Sequence, residues 1–182
     1  MTIRSDEAAA MLADVDSVVG RVKQSRLYRS SAQIVILWGV VNLARDLLIG
    51  VAPALFGPRW FLIDTIGIIG TLVLLRWVVE PGAHLPLRTL AAFCLFYAFG
   101  WVWSNFLGGF GPREQMAFWP TLFLFGYALA GLWFGPVFSA IGLGLTALIL
   151  AGYVWSGAAF PLWLAVVHGG GLIFCGLWMR RA

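Results

Sequence analysis

At 182 residues, with 61% hydrophobic and 11% charged side chains and a mean hydropathy of +0.89, the chain is too apolar for a soluble domain, in which about a quarter of residues are charged. Its length holds about six spans of ~20 residues plus an N-terminal extension, and leaves no room for a separate soluble domain. The net charge of +4 is not a nucleic-acid signal, because the basic residues flank apolar stretches and follow the topology of a bilayer protein.

Residues 1–30 contain Asp6, Glu7, Asp14 and Asp16 and lack the short apolar core and small-residue cleavage site of a signal peptide. They are expected to stay on the protein as a cytoplasmic amphipathic helix from about Ser5 to Arg29, with Ser5 as N-cap and Asp6 and Glu7 in its first turn. The apolar positions Met11 or Leu12, Val15, Val18 or Val19, and Val22 keep the three-four spacing of one helical face. Arg21, Lys23, Arg26 and Arg29 gather at the C-terminal end, where they suit the helix dipole and anionic headgroups. The face carrying Met11, Leu12, Val15, Val18 and Val22 suits a cytoplasmic protein partner or a second copy of the chain. The alternative is a helix lying on the inner leaflet or on the protein's own cytoplasmic face.

Residues 31–182 read as an all-α domain of six transmembrane helices, at about 33–51, 60–79, 89–107, 116–134, 137–155 and 160–179, arranged as three hairpins. Pro53 and Gly57-Pro58 close the first span. The second ends at Arg76, Trp77 and Glu80, and Pro81, Gly82 and Pro86 bracket a loop holding His84. The third ends in Trp101, Trp103, Ser104 and Asn105, and Gly108 to Gln115 forms the most polar external connection. Gly135-Pro136 joins the fourth and fifth spans so tightly that they must be antiparallel neighbours. Gly70 to Trp77, Gly126 to Trp133 and Gly171 to Trp178 share a Gly-x6-Trp spacing, which either marks a repeated hairpin or reflects interfacial tryptophans alone.

Arg4, Arg21, Lys23, Arg26, Arg29, Arg76, Arg88, Arg180 and Arg181 lie on the side of the N-terminus, whereas Arg59 and Arg113 lie opposite. The positive-inside rule then gives a multi-pass protein of the cell (inner) membrane with both termini cytoplasmic. Cys94 and Cys175 are read as buried small hydrophobes.

The first span, Gln33 to Val51, carries Asn42, Arg45 and Asp46 well inside the bilayer region. A charge at that depth costs on the order of 3 kcal/mol even on the most lenient scale, so such residues face protein or water. In a hairpin turning near Phe56, Arg45, Asp46 and Asp64 fall at comparable depth in the outer half, and His168 lies at a similar depth in the last span. These positions define an outward-facing ligand or ion pocket of Asn42, Arg45, Asp46, Asp64, Trp101, Asn105 and His168, with Trp101 and Trp103 at its mouth. The structural alternative is that Arg45 pairs with either aspartate simply to fix a helix register. The glycine lines, including Gly169 to Gly171 beside His168, read first as close helix packing.

No HExxH, GxSxG or phosphate-binding glycine loop occurs, no lysine lies in a span to hold a Schiff base, and His84 and His168 are too far apart for a bis-histidine haem. No enzyme, cofactor or metal is therefore expected. Two function classes remain. One is a regulatory, scaffold or sensor protein that docks a partner through its N-terminal helix; the other is a small-solute or proton-coupled channel or carrier that uses the outer pocket. The nearly apolar inner half of the spans favours the first, because a conduction path should continue across the membrane.

Overall fold

The computed structural model describes the backbone of residues 5–78 and 87–181 and, within them, the side chains of 18, 28, 29, 31–57, 59–76 and 91–181. The described chain is all helical. Helix α1 covers Ser5–Val51, followed by the one-turn α2 (Pro53–Phe56), α3 (Trp60–Val78), α4 (Leu87–Trp101), α5 (Pro112–Phe134), α6 (Pro136–Trp155), α7 (Phe160–Leu164) and α8 (Gly171–Met179). A wider, π-helical turn at Val102–Leu107 continues α4, and another at Ala165–Gly170 joins α7 to α8.

Among the described residues, four stretches are long and apolar enough to cross a membrane: Ser31–Val51, Pro112–Phe134, Pro136–Trp155 and Gly157–Met179. They match the first, fourth, fifth and sixth expected spans. The second and third fall on α3 and on α4 with its π-helical extension. The expectations for the side chains of Met11, Leu12, Val15 and Val22, and for His84, Glu80 and the Arg76–Glu80 pair, lie outside the described residues; Val18 is exposed.

One difference from expectation concerns α1. The expected amphipathic helix and first span are not two bodies but one unbroken helix of 47 residues, about 70 Å long. The change from polar to apolar residues near Ser31 contains no proline, and backbone hydrogen bonding continues through a change of side-chain polarity. Termination comes at Pro53, which holds Ala52 out of helical geometry at φ −136° and ψ 67°.

Packing is organised on α1. Toward α8 it presents Ala32, Ile36 and Gly39, and the close approach shows at the glycines. A Cβ on Gly169 would lie 2.5 Å from the backbone N and Cα of Leu43, and one on Gly39 would lie 2.8 Å from the backbone N of Ile173. Toward α3 it presents Leu37, Trp38 and Val41, which cover Gly70 and Gly67, and the Trp38 indole donates to Thr71 Oγ1 at 3.0 Å. Near the other end, the buried Tyr28 meets Phe138 of α6 edge-on at 5.5 Å.

Helices α5 and α6 pack as the antiparallel neighbours that Gly135-Pro136 demands. Gly142 sits against the Leu124 carbonyl and Ala128, and Ser139 Oγ donates to Ala128 O at 3.0 Å. The α4–α5 contact is aromatic, with Tyr97 on Trp119 at 4.9 Å and Phe96 on Phe123 at 5.8 Å. Helix α6 packs in turn on the last span, whose Phe160, Leu164 and Leu172 join Leu145 and Ile149 in the core. The strongest neighbours are α5 with α6 and α1 with the last span, with α1 also packed on α3; this packing leaves the arrangement as three hairpins unconfirmed.

Candidate functional site

Arg45, Asp46 and Asp64 come together as the depth argument requires. Adjacent positions on α1 place Arg45 Nε 2.9 Å from Asp46 Oδ1. Asp64 lies about one turn into α3, and antiparallel packing on α1 brings it level with Arg45, whose NH1 reaches its two carboxylate oxygens at 3.2 and 3.3 Å. The side chains are 15%, 1% and 21% exposed for Arg45, Asp46 and Asp64. Asp46 Oδ2 is buried and has no hydrogen-bond partner among the described residues.

These three residues line a cavity of about 720 Å³ at the end of the bundle where α1 and α3 turn into one another. From α1, Ile49 adds to its wall, and Pro53 and Gly57 follow from the turn. Trp60 and Asp64 contribute from α3, and Met116, Trp119 and Pro120 from α5. Phe110, Arg113 and Gln115 come from the α4–α5 connection and the start of α5, and Phe160 and Pro161 from the last span. The lining is thus mainly apolar and aromatic around a few charges, the composition of a small-molecule site.

Arg113, which the sequence reading left in an external loop, lines this cavity. It occupies the first turn of α5, donates from NH2 to the Tyr153 carbonyl at 2.7 Å and lies over the rings of Tyr153 and Phe160 at 5.2 and 5.5 Å. Glu114 accepts a hydrogen bond from the Tyr153 hydroxyl at 3.2 Å. Arg113 and Trp119 thus stand where Trp101 and Asn105 were expected. The only available signal was that Arg113 is one of two basic residues on that side, with Pro112 marking the helix start directly before it.

The other expected pocket residues do not line the cavity. Trp101 and Trp103 are half exposed and do not line the cavity. Asn105 donates to Ser104 Oγ at 2.9 Å and to Trp101 O at 3.1 Å, and its own oxygen accepts from Gln115 at 3.5 Å, so it touches the site only through Gln115. Asn42 is buried and donates to the Trp38 carbonyl one turn back at 2.8 Å. His168 is buried in the π-helical turn of the last span, outside the cavity wall, with Nδ1 lacking a partner among the described residues. π-Helical turns recur at functional sites. Here the turn also seats Gly169 against α1.

Two carboxylates share one guanidinium in this site, so the triad carries an uncompensated negative charge when both are ionised, while Arg113 spends its charge on aromatic faces and a carbonyl. Among the described residues, no three of His, Cys, Asp and Glu gather as metal ligands. No family model, curated protein or solved structure matches this chain.

Proposed function

We propose that the chain is a six-span, non-enzymatic sensor or regulatory protein of the inner membrane, with both termini cytoplasmic and a ligand pocket facing outward. In this reading α3 and the α4 segment complete the six spans, and the N-terminal part of α1 docks a cytoplasmic protein or a second copy of the chain. The observation that carries it is the continuity of α1. One helix holds Arg45 and Asp46 in the pocket wall and runs without a break to Ser5, so a change in the pocket has a continuous helical route to the N-terminal segment. The basic residues gathered in that segment and at the C-terminus support the orientation.

The test is a pulldown from native membranes with the full chain, with a chain lacking residues 1–29, and with Asp46→Asn and Asp64→Asn. A discrete partner that is lost on truncation and altered in yield by Asp46→Asn supports coupling between the two ends. Recovery that ignores both changes refutes it.

A second reading, a proton-coupled carrier, draws on a separate observation: two buried polar groups without partners among the described residues, Asp46 Oδ2 and His168 Nδ1, lie in helices packed on each other. Proteoliposome uptake that depends on both Asp46 and His168 would decide for it.

A further inference from the structure

We infer that the cavity takes an organic ammonium, a primary or secondary amine in its protonated form attached to an apolar body, with its N–H donated to Asp46. This rests on the reading of the cavity as a ligand site and names the class of ligand. Three independent features of the site converge on it.

The first is an unmet acceptor. Arg45 takes one oxygen of Asp46 and both of Asp64, and the remaining oxygen of Asp46 is buried and without a partner among the described residues, although its residue lines the cavity. A buried carboxylate oxygen left without a donor is costly, and a donor that also brings positive charge relieves both the missing hydrogen bond and the charge imbalance. The second is charge. The two acidic groups of the triad outnumber its one guanidinium, and the other lining cation, Arg113, is already over Tyr153 and Phe160 with a carbonyl partner. A carboxylate or phosphate ligand would bring a third negative group to the triad. The third is the wall. About 720 Å³ lined by Trp60, Trp119, Phe110 and Phe160 accommodates a drug-sized apolar body, and electron-rich ring faces favour a cation next to them over an anion.

A matched series on one carbon skeleton tests this: diphenylpropylammonium, diphenylpropanol and diphenylpropanoate, titrated against the full-length protein in lipid nanodiscs by calorimetry, with empty nanodiscs subtracted. Saturable binding of the amine, with the alcohol and the carboxylate each weaker by about tenfold or more, is the expected result, since a charge-assisted hydrogen bond carries at least that much discrimination. Asp46→Asn should weaken the amine by a similar factor and leave the alcohol nearly unchanged. Should that variant fail to fold, the wild-type series alone decides. If the alcohol or the carboxylate binds as tightly as the amine, the ammonium class is overturned while the cavity stands as a ligand site. If none of the three binds saturably, both fall.

Discussion

Replacing Arg45 by Met removes the guanidinium but keeps a flexible chain of similar reach, and it strands two carboxylates. Asp46 is 1% exposed and loses the partner at 2.9 Å of its Oδ1, so both its oxygens then lack a donor. Asp64, at 21% exposure, keeps some access to water and loses two contacts at 3.2 and 3.3 Å. Breaking a buried ion pair by removing one partner costs about 3–5 kcal/mol, whereas replacing all its charged members by neutral groups is often close to neutral. The single variant Arg45→Met should therefore lose about 3–5 kcal/mol, and the triple variant Arg45→Met/Asp46→Asn/Asp64→Asn should recover most of it. Reversible unfolding in mixed micelles, followed by tryptophan fluorescence, measures both. A single variant within about 1 kcal/mol of wild type would refute the claim that protein groups receive these charges, because the penalty comes from leaving buried acids unpaired. A triple variant as unstable as the single one would refute it equally, by showing that shape and not charge accounts for the loss.

The contact between α1 and the last span makes a second prediction: Gly169→Ala should destabilise markedly, because its Cβ would meet Leu43 backbone atoms that cannot yield, while Gly144→Ala, with nothing within 4 Å, should be neutral in the same unfolding assay. A double-mutant cycle of Trp38→Phe and Thr71→Val should give a coupling of about 0.6 kcal/mol, the typical value for an interhelical hydrogen bond in a membrane; additivity of the two would deny that the 3.0 Å bond contributes. Finally, in a background of Cys94→Ser and Cys175→Ser, Met116→Cys should react with a water-soluble maleimide, because it lines the cavity, and Leu124→Cys, 1% exposed in the core, should not. Equal labelling of the two would mean that the cavity is closed to water.

The meeting of Arg45, Asp46 and Asp64 was legible because it depends only on rise per residue and one turn signal: counting outward from Phe56 along two antiparallel helices puts all three at one level, whatever the rest of the bundle does. The antiparallel α5–α6 pair was legible for the same local reason, the tight connection at Gly135-Pro136, where a single residue separates the helices. What could not be counted is rotation. His168 has the expected depth, but the backbone approach of Gly169 to Leu43 turns it into the contact with α1, away from the cavity wall. Trp101 and Arg113 flank one loop, and only the order of helices around the bundle decides that α5, not α4, faces α3 across the cavity. The Gly-x6-Trp spacing shows the same limit. Gly70 packs on Leu37, Gly171 on Leu145, and Gly126 has only Phe96 at 3.8 Å, so one spacing serves three unlike contacts.

The boundary drawn at residue 30 follows composition. Composition changes there from charged to apolar, and a reader of composition divides the chain at that point, yet helix continuity is decided by backbone donors and acceptors that no side-chain polarity removes. The consequence reaches the function. Between Gly39 and Leu43, α1 is held on one side by Gly169 and Ile173 at distances that leave no space for a methyl group, and on the other Trp38 is bonded to Thr71. A helix gripped on two faces just below Arg45 does not bend there. A ligand that rearranges the Arg45–Asp46–Asp64 contacts must therefore move α1 as a body or move α3 across it, and because nothing interrupts the rod toward Ser5, the first of these carries the displacement to the N-terminal segment. If the proposed sensor reading holds, Trp38→Phe should weaken the effect of Asp46→Asn on partner yield in the pulldown while leaving the pocket's own affinity, read by calorimetry, intact.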